Sequence, residues 1–131
     1  MNEYRVGERK ADNKILVLPV AAGQEIKDRY MIALNADGYA VAASKTADLK
    51  VAGMAMQYVD NRNGADGARN VNVYRGCVVM ANDGSIKGTD LLKKCYVSGS
   101  QEVTLNAEGS SVAGTIMELE EDMVAVDLTA Q

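Results

Sequence analysis

Residues 51–56 read VAGMAM and residues 112–117 read VAGTIM, so one short apolar segment occurs twice in the chain. An Ile-Lys pair precedes each copy, at residues 26–27 and at residues 86–87, and the spacing between equivalents is about 60 residues in both cases. Two units are too few for a solenoid, which needs at least about three repeats. The repeated segments therefore predict a pseudo-twofold fold built from two similar halves.

Two further landmarks belong to each predicted half. A glycine lies shortly before each Ile-Lys pair, and each unit contains an Asn-Ala-acid-Gly turn. The offset of that turn differs between the units, so we expect an insertion in one of them. Because such segments are also common in β turns generally, chance similarity is the alternative interpretation. These landmarks are Gly23 and Gly84, and residues 35–38 and 106–109.

Short runs rich in Val, Ile, Leu and Tyr fill the chain between these landmarks, and Gly, Asn, Asp and Ser interrupt them at close intervals. This pattern is typical of an all-β barrel or sandwich. The sequence therefore predicts a mainly β fold, a small β-barrel or sandwich of about nine short strands. The strand candidates are residues 15–20, 29–34, 39–43, 51–58, 71–80, 94–98, 102–105, 112–119 and 123–128.

Little helix is expected. Residues 44–49 offer a serine N-cap for one short turn, and residues 89–93 are a second weak candidate. We expect residues 1–14 to be a flexible N-terminal arm, because they are polar, mixed in charge and without periodicity. Residues 15–131 then form a single β domain, with pseudo-repeat units at about 15–75 and 76–131.

The composition excludes several classes of function. The chain has no His, which removes the commonest general base, the imidazole ligand of most zinc sites and every Ser-His or Cys-His nucleophile. A net charge of −4 and a pI near 4.8, without clustered Lys and Arg, argue against nucleic-acid binding. Without a run of about 18 apolar residues, we expect no membrane-spanning helix. We predict no enzyme activity, no metal and no cofactor.

The two cysteines and most of the methionines are expected inside the protein. Cys77 and Cys95 lack the spacing of a metal motif, so we interpret both as reduced, buried, small apolar residues; a disulfide between neighbouring strands is the alternative. Methionine fills gaps in cores without Phe or Trp, and five methionines fall in strand candidates. Those five are Met54, Met56, Met80, Met117 and Met123.

Residues 59–70 form the longest polar interruption in the chain. Asp60, Asn61, Asn63 and Asp66 are oxygen donors, but the spacing of an EF-hand loop is not met. We predict a long, mobile hairpin tip here, or a tip that contacts a neighbouring subunit. A second polar segment, the acidic residues 118–122, is interpreted as a solvated turn, with a basic partner as the alternative.

The order of these segments resembles the phage capsid cement, or head decoration, proteins. The resemblance spans about residues 17–128 and is one of pattern and spacing. The chain departs from the family in its longer loop at residues 60–70 and in its charged N-terminal arm. The segments that carry the resemblance are residues 22–26 (AGQEI), 37–38 (DG), 51–55 (VAGMA), 71–76 (VNVYRG), 112–114 (VAG) and 124–128 (VAVDL).

The resemblance implies a virion structural protein without catalysis. Such a protein is made in the bacterial host cytoplasm, assembles as a homo-oligomer (trimer or dimer), and binds the outside of an expanded phage head. There it bridges major capsid proteins and stabilises the shell. Tyr and Arg are enriched at interface hot spots, so the predicted partner-binding residues are chosen with that preference. They are Tyr4, Arg5, Arg9 and Lys10 in the arm, and Arg62 and Arg69 in the polar loop.

Three other functions remain open at this point. A small β-barrel that serves as a protein-binding adaptor has the same composition. A surface adhesin module has it too, although the N-terminal residues show no export signal. An enzyme with paired carboxylates requires two acids that face one pocket, which sequence spacing cannot reveal in a β protein.

A frayed terminus with solvated charges is the plain interpretation of the arm.

Overall fold

The computed structural model describes residues 14–129. The arm residues predicted to bind a partner, Tyr4, Arg5, Arg9 and Lys10, lie outside the described residues. Within the described range the chain forms twelve strands and one short 3-10 turn, Gly88–Asp90. The strands are β1 (Ile15–Pro19), β2 (Gln24–Ile26), β3 (Met31–Leu34), β4 (Ala40–Ala42), β5 (Lys50–Ala55), β6 (Val59–Asn61), β7 (Asn70–Tyr74), β8 (Cys77–Asn82), β9 (Lys94–Gly99), β10 (Glu102–Thr104), β11 (Val112–Glu120) and β12 (Met123–Asp127).

The strands of the first half form a five-stranded sheet and a two-stranded ribbon. The sheet has the order β1-β7-β5-β3-β4, with antiparallel neighbours. The ribbon consists of β2 and β6, also antiparallel.

The strands of the second half form one five-stranded sheet in the order β10-β8-β12-β11-β9. Its two outer strands, β9 and β10, also pair with each other, so this sheet closes on itself. The fold is therefore mainly β and sandwich-like, as the sequence predicted, rather than one clean barrel.

The repeated Val-Ala-Gly segments have the same structural role in both halves. In β5 the register against β3 shifts by one residue at Ala52, and in β11 the register against β9 shifts by one residue at Ala113. The glycine that follows each alanine packs against a backbone carbonyl of the next strand. A Cβ on Gly53 would stand 2.3 Å from the Tyr74 oxygen, and one on Gly114 would stand 2.2 Å from the Asp127 oxygen. Glycine is therefore required at both bulges.

The two halves also match in how their first strand ends. Val20, just after β1, forms a parallel bridge with Ala40 of β4. In the second half, β8 pairs in parallel with β10, with Asn82 opposite Val103. In each half, therefore, the first strand ends in a parallel pairing with a later strand of the same half.

One predicted correspondence between the two halves is wrong, because the two Asn-Ala-acid-Gly turns do not occupy equivalent positions. The turn at residues 35–38 joins β3 to β4, whereas the turn at 106–109 lies after β10 and before β11. The two turns share a sequence because both need Asn side-chain bonds to the backbone and a glycine at positive φ. The expected insertion lies between β5 and β7, where residues 56–69 include β6, while the equivalent strands β11 and β12 join through a tight turn.

Strand number was underestimated from the sequence. The candidate at residues 71–80 is two strands, because the chain turns at residues 75–76 and moves from the first sheet to the second. The strands β2 and β6 were missed, since each has only three residues and no apolar alternation. Helix is marginal, as predicted: residues 44–49 contain no helix, and the second candidate overlaps only the 3-10 turn.

The core lies inside and between the two five-stranded sheets. One cluster belongs to the first half and includes Ile26, Ile32 and Val73. The other fills the second half and also contains Met31 and Val51 from the first half. Hydrogen bonds join the halves as well: the Met31 N–H donates to the Ser100 carbonyl at 2.7 Å, and the Leu49 N–H donates to the Ser111 hydroxyl at 2.9 Å. No helix within residues 14–129 is long and apolar enough to cross a membrane.

Candidate binding surfaces

Metal-binding side chains do not cluster in the described part of the chain. No group of three or more His, Cys, Asp or Glu side chains in residues 14–129 is arranged to hold a metal ion. The features that remain are surfaces: a polar ribbon, an apolar sheet face and the exposed apolar side chains of β1.

The polar ribbon is formed by β2 and β6 and carries a network of charged side chains. Glu25 of β2 lies opposite Asp60 of β6. Arg62 spans both acids: its Nε and Nη2 donate to the two Asp60 carboxylate oxygens at 2.9 and 3.0 Å, and its Nη2 lies 3.8 Å from Glu25 Oε2. The Tyr58 hydroxyl donates to the same Glu25 oxygen at 2.7 Å. Arg62 thus compensates two cross-strand carboxylates that would otherwise repel each other.

The network shifts the protonation equilibria of its members. The hydrogen bonds from the Arg62 side chain and backbone lower the pKa of Asp60 to about 2. The bond to Glu25 raises the pKa of Tyr58. Both shifts stabilise the arrangement at neutral pH, where Asp60 is ionised and Tyr58 keeps its proton.

The loop after β6 is hydrogen-bonded to the segment between β1 and β2. Asn61 is buried, and its Nδ2 donates to the carbonyls of Val20, Ala21 and Ala65 at 3.0 to 3.2 Å. The Ala22 N–H donates to Asp66 Oδ1 at 2.8 Å. These bonds join the start and the middle of the loop to the segment between β1 and β2.

The two loop arginines predicted as partner-binding residues occupy different environments. Arg62 is engaged by Asp60 and Glu25, as described above. Arg69 lines two adjoining depressions of about 480 and 330 Å³ that share Asp60. We call these two depressions the β6 groove. Its lining residues are Gln57, Tyr58, Val59, Asp60, Asn61, Asn63, Gly64, Ala68, Arg69 and Asn70.

The apolar sheet face lies on the outside of β8 and β12. Val79 is 55% exposed, and Met123 of the neighbouring strand is exposed as well. In the register of the two strands, Ala125 lies opposite Val79 and Met123 lies opposite Ala81. A depression of about 320 Å³ opens at this face, lined by Arg29, Met54, Val79, Met80, Ala81, Gln101 and Met123.

Several side chains that were expected in the core are exposed. Cys77 is exposed rather than buried, because β8 begins a new alternation after the chain turns at residues 75–76. Met56, Met117 and Met123 are exposed too, whereas Met80 is buried and Met54 is partly buried, as predicted. Cys95 is buried as expected, and both thiols are free, so the alternative of a disulfide does not hold.

Burial controls the chemistry of both thiols. Desolvation raises the pKa of Cys95 to about 12. Partial burial, with the negative charges of Asp127 and Glu118 nearby, raises the pKa of Cys77. Neither thiol has the depressed pKa of a nucleophilic cysteine.

The exposed strand is β1, which ends the first sheet, pairs with β7 on one side, and is bridged to β4 on the other side at its C-terminal end. Ile15 is 55% and Val17 is 62% exposed. The sequence analysis missed this surface, although the run ILVLP, which has no polar residue, was a signal for it. The acidic side chains of residues 118–122 are exposed around the β11–β12 turn, consistent with a solvated turn.

Comparison of the chain with protein-family models, with curated proteins and with solved structures finds no match.

Proposed function

We propose that this chain is a capsid decoration protein that binds the outside of an expanded phage head and stabilises it without catalysis. The observation that carries the proposal is the repeated exposure of large apolar side chains on ordered strands, at Val17 and Ile15 on β1 and at Val79 and Met123 on the second sheet. Contiguous exposed apolar surface on a small protein marks protein-protein contact. The sequence resemblance to head decoration proteins gives that contact its proposed partner, the major capsid protein.

A decoration role is consistent with the small size of the available surfaces. A chain of 14.0 kDa offers little area for one interface, but equivalent contacts repeated over a shell gain strength through multivalency. The proposed oligomer, a trimer or a dimer, multiplies that gain. The hydrogen bonds that hold the loop of the β6 groove are consistent with this role, since a surface already held in place loses little conformational entropy on binding.

Arg69 is the described residue that we propose as a direct capsid contact. It lines both depressions of the β6 groove, where a carboxylate or a backbone carbonyl of a shell protein fits its guanidinium. We propose that Arg62 contributes indirectly: its guanidinium already binds Asp60, so it holds the β2–β6 ribbon in place and does not contact the capsid itself.

Co-sedimentation tests the proposal. Purified protein is mixed with procapsids and with expanded, decoration-free heads of the phage that encodes it, and bound protein is measured against concentration. We expect saturable binding to expanded heads only, and a loss of at least tenfold in affinity for Arg69→Ala with Lys45→Ala as the exposed control. Absence of binding to either form of the shell would overturn the proposal and favour a protein-binding adaptor with another partner.

A further inference from the structure

Two leucines form the tip of the turn that leads from the 3-10 turn into β9. Leu92 is 73% exposed and Leu91 is 47% exposed. The Lys93 N–H donates to the Asp90 carbonyl at 3.1 Å, which closes a β-turn around the two leucines. Leu91 has φ −55° and ψ 138°, and Leu92 has φ 69°, which are the values of a type II turn. We call residues 90–93 the leucine turn.

Leucine is an unfavourable residue at the position of Leu92. The third residue of a type II turn needs a positive φ, which glycine and asparagine adopt more readily than a bulky side chain. The corresponding turn before β3 closes from the Tyr30 N–H to the Lys27 carbonyl at 3.2 Å, and Arg29 has φ 70° there. The turn itself therefore does not require an apolar side chain. A strained and exposed leucine indicates a contact outside the chain.

Hydrogen bonds hold the leucine turn in place. Asp90 is buried, and its carboxylate accepts from the Lys87 N–H at 2.7 Å and from Lys93 Nζ at 3.1 Å. On β11, the Ile116 carbonyl accepts from the Leu92 N–H at 2.8 Å, and the Ile116 N–H donates to the Lys93 carbonyl at 2.9 Å. Because the turn is already held, a partner that binds it orders few additional groups.

The leucine turn is flanked by positive charge. Lys87, Lys93 and Lys94 are exposed, and the one acid of residues 87–94, Asp90, is bonded to Lys93. Glu118 is exposed on the neighbouring β11, which leaves an excess of lysines around the leucines. The chain as a whole has a net charge of −4, so this basic segment differs from the average surface. A complementary partner combines an apolar pocket with carboxylates.

We propose that the leucine turn inserts into an apolar pocket of the major capsid protein whose rim carries carboxylates. Leu91 and Leu92 fill the pocket, and Lys87 and Lys94 face the rim. An apolar centre with a polar rim is the usual arrangement of a protein-protein interface. This inference rests on the proposed function and gives it a specific contact.

An anionic membrane and a second copy of the chain suit the leucine turn less well. The net charge of −4 opposes approach to an anionic bilayer, and two leucines add little apolar area for insertion. A second copy offers the apolar depression beside β8 and β12. Arg29 lines that depression, so the lysines of the turn would meet a like charge there.

Leu92→Asn separates contact from stability. Asparagine suits the positive φ of this position, so we expect the melting temperature to equal or exceed that of the wild type. We expect affinity for expanded, decoration-free heads to fall at least about tenfold in co-sedimentation. Asp48→Asn is the matched control, because Asp48 is also exposed at φ 66°, and its affinity should not change. Leu91→Ser, which leaves the positive-φ residue intact, should also weaken binding.

Charge reversal tests the rim of the proposed pocket. We expect Lys87→Glu combined with Lys94→Glu to lower affinity for expanded heads at least about tenfold at low salt, and to weaken the dependence of binding on salt. Lys45→Glu combined with Lys50→Glu is the matched control. Both control lysines are exposed in the first half, and the change in net charge is the same.

The outcomes separate this inference from the proposed function. Binding of the wild type with unchanged affinity of Leu92→Asn would overturn the inference alone, whereas no binding of the wild type would overturn both. A lower melting temperature of Leu92→Asn would give the leucine a structural role and overturn the inference as well. So would binding to phosphatidylserine vesicles, or self-association in sedimentation equilibrium, that the wild type shows and Leu92→Asn lacks, because the turn would then belong to a lipid or to a second copy.

Discussion

Gly53 and Gly114, at the two bulges, have no room for a side chain. Gly53→Ala or Gly114→Ala would place a Cβ within 2.3 Å of a backbone oxygen, which only backbone movement relieves. We expect each variant to lower the free energy of unfolding by about 2 kcal/mol or more. Urea denaturation measures this, with Gly88→Ala as the control, because a Cβ at Gly88 meets nothing within 4 Å. A loss no larger than that of the control would contradict the close approach.

The two thiols are expected to differ in accessibility. Cys77 is exposed at the start of β8, while Cys95 is fully buried and has a pKa raised to about 12. A thiol reagent such as dithionitrobenzoate should therefore modify one cysteine per native chain at pH 8 and two in denaturant. Mass spectrometry should place the native label on Cys77. Rapid modification of Cys95 in the native protein would show that the second sheet opens.

Residue patterns alone could not place Cys77 correctly. Cys77 was predicted to be a buried small apolar residue, but the alternation of buried and exposed side chains restarts after the turn at residues 75–76. Arg62 and Arg69 were recognised from their residue type in a polar loop. Their different environments depend on Asp60 and Glu25, which only the pairing of β2 with β6 brings together.

At the level of elements, the β2–β6 ribbon predicts sensitivity to acid. Asp60 has a folded pKa of about 2 against an ordinary value of 3.8. Its ionised form therefore stabilises the fold above about pH 4, and this contribution is lost as pH falls toward 2. Melting temperatures between pH 2 and 7 should fall with acid more steeply for the wild type than for Asp60→Asn. Parallel curves for the two proteins would contradict the role of the Asp60–Arg62 pair.

The repeated Val-Ala-Gly segments predicted more of the architecture than any other element. They mark the same bulge in β5 and β11, and the two halves follow the same strand order around them. The sequence could not distinguish the two Asn-Ala-acid-Gly turns, because equal local bonding occurs at different places in each half. Nor could it reveal the exposure of Ile15 and Val17, which depends on where the sheet ends.

At the scale of the whole molecule, the two halves share part of their core and present different outer surfaces. Met31 and Val51 of the first half pack into the cluster of the second, so the sheets support each other. The first half exposes Ile15 and Val17 of β1 and the β6 groove, and the second exposes the apolar face of β8 and β12. In the proposed role, these surfaces are the candidates for contact with the shell.

Stabilisation of the shell is the central claim, and heating tests it most directly. Expanded heads are saturated with the protein, freed of excess, and heated while release of packaged DNA is followed by dye fluorescence. We predict that rupture occurs at a higher temperature for decorated heads than for bare heads, and that Arg69→Ala at the same input gives a smaller increase. An unchanged rupture temperature at full occupancy would contradict the account.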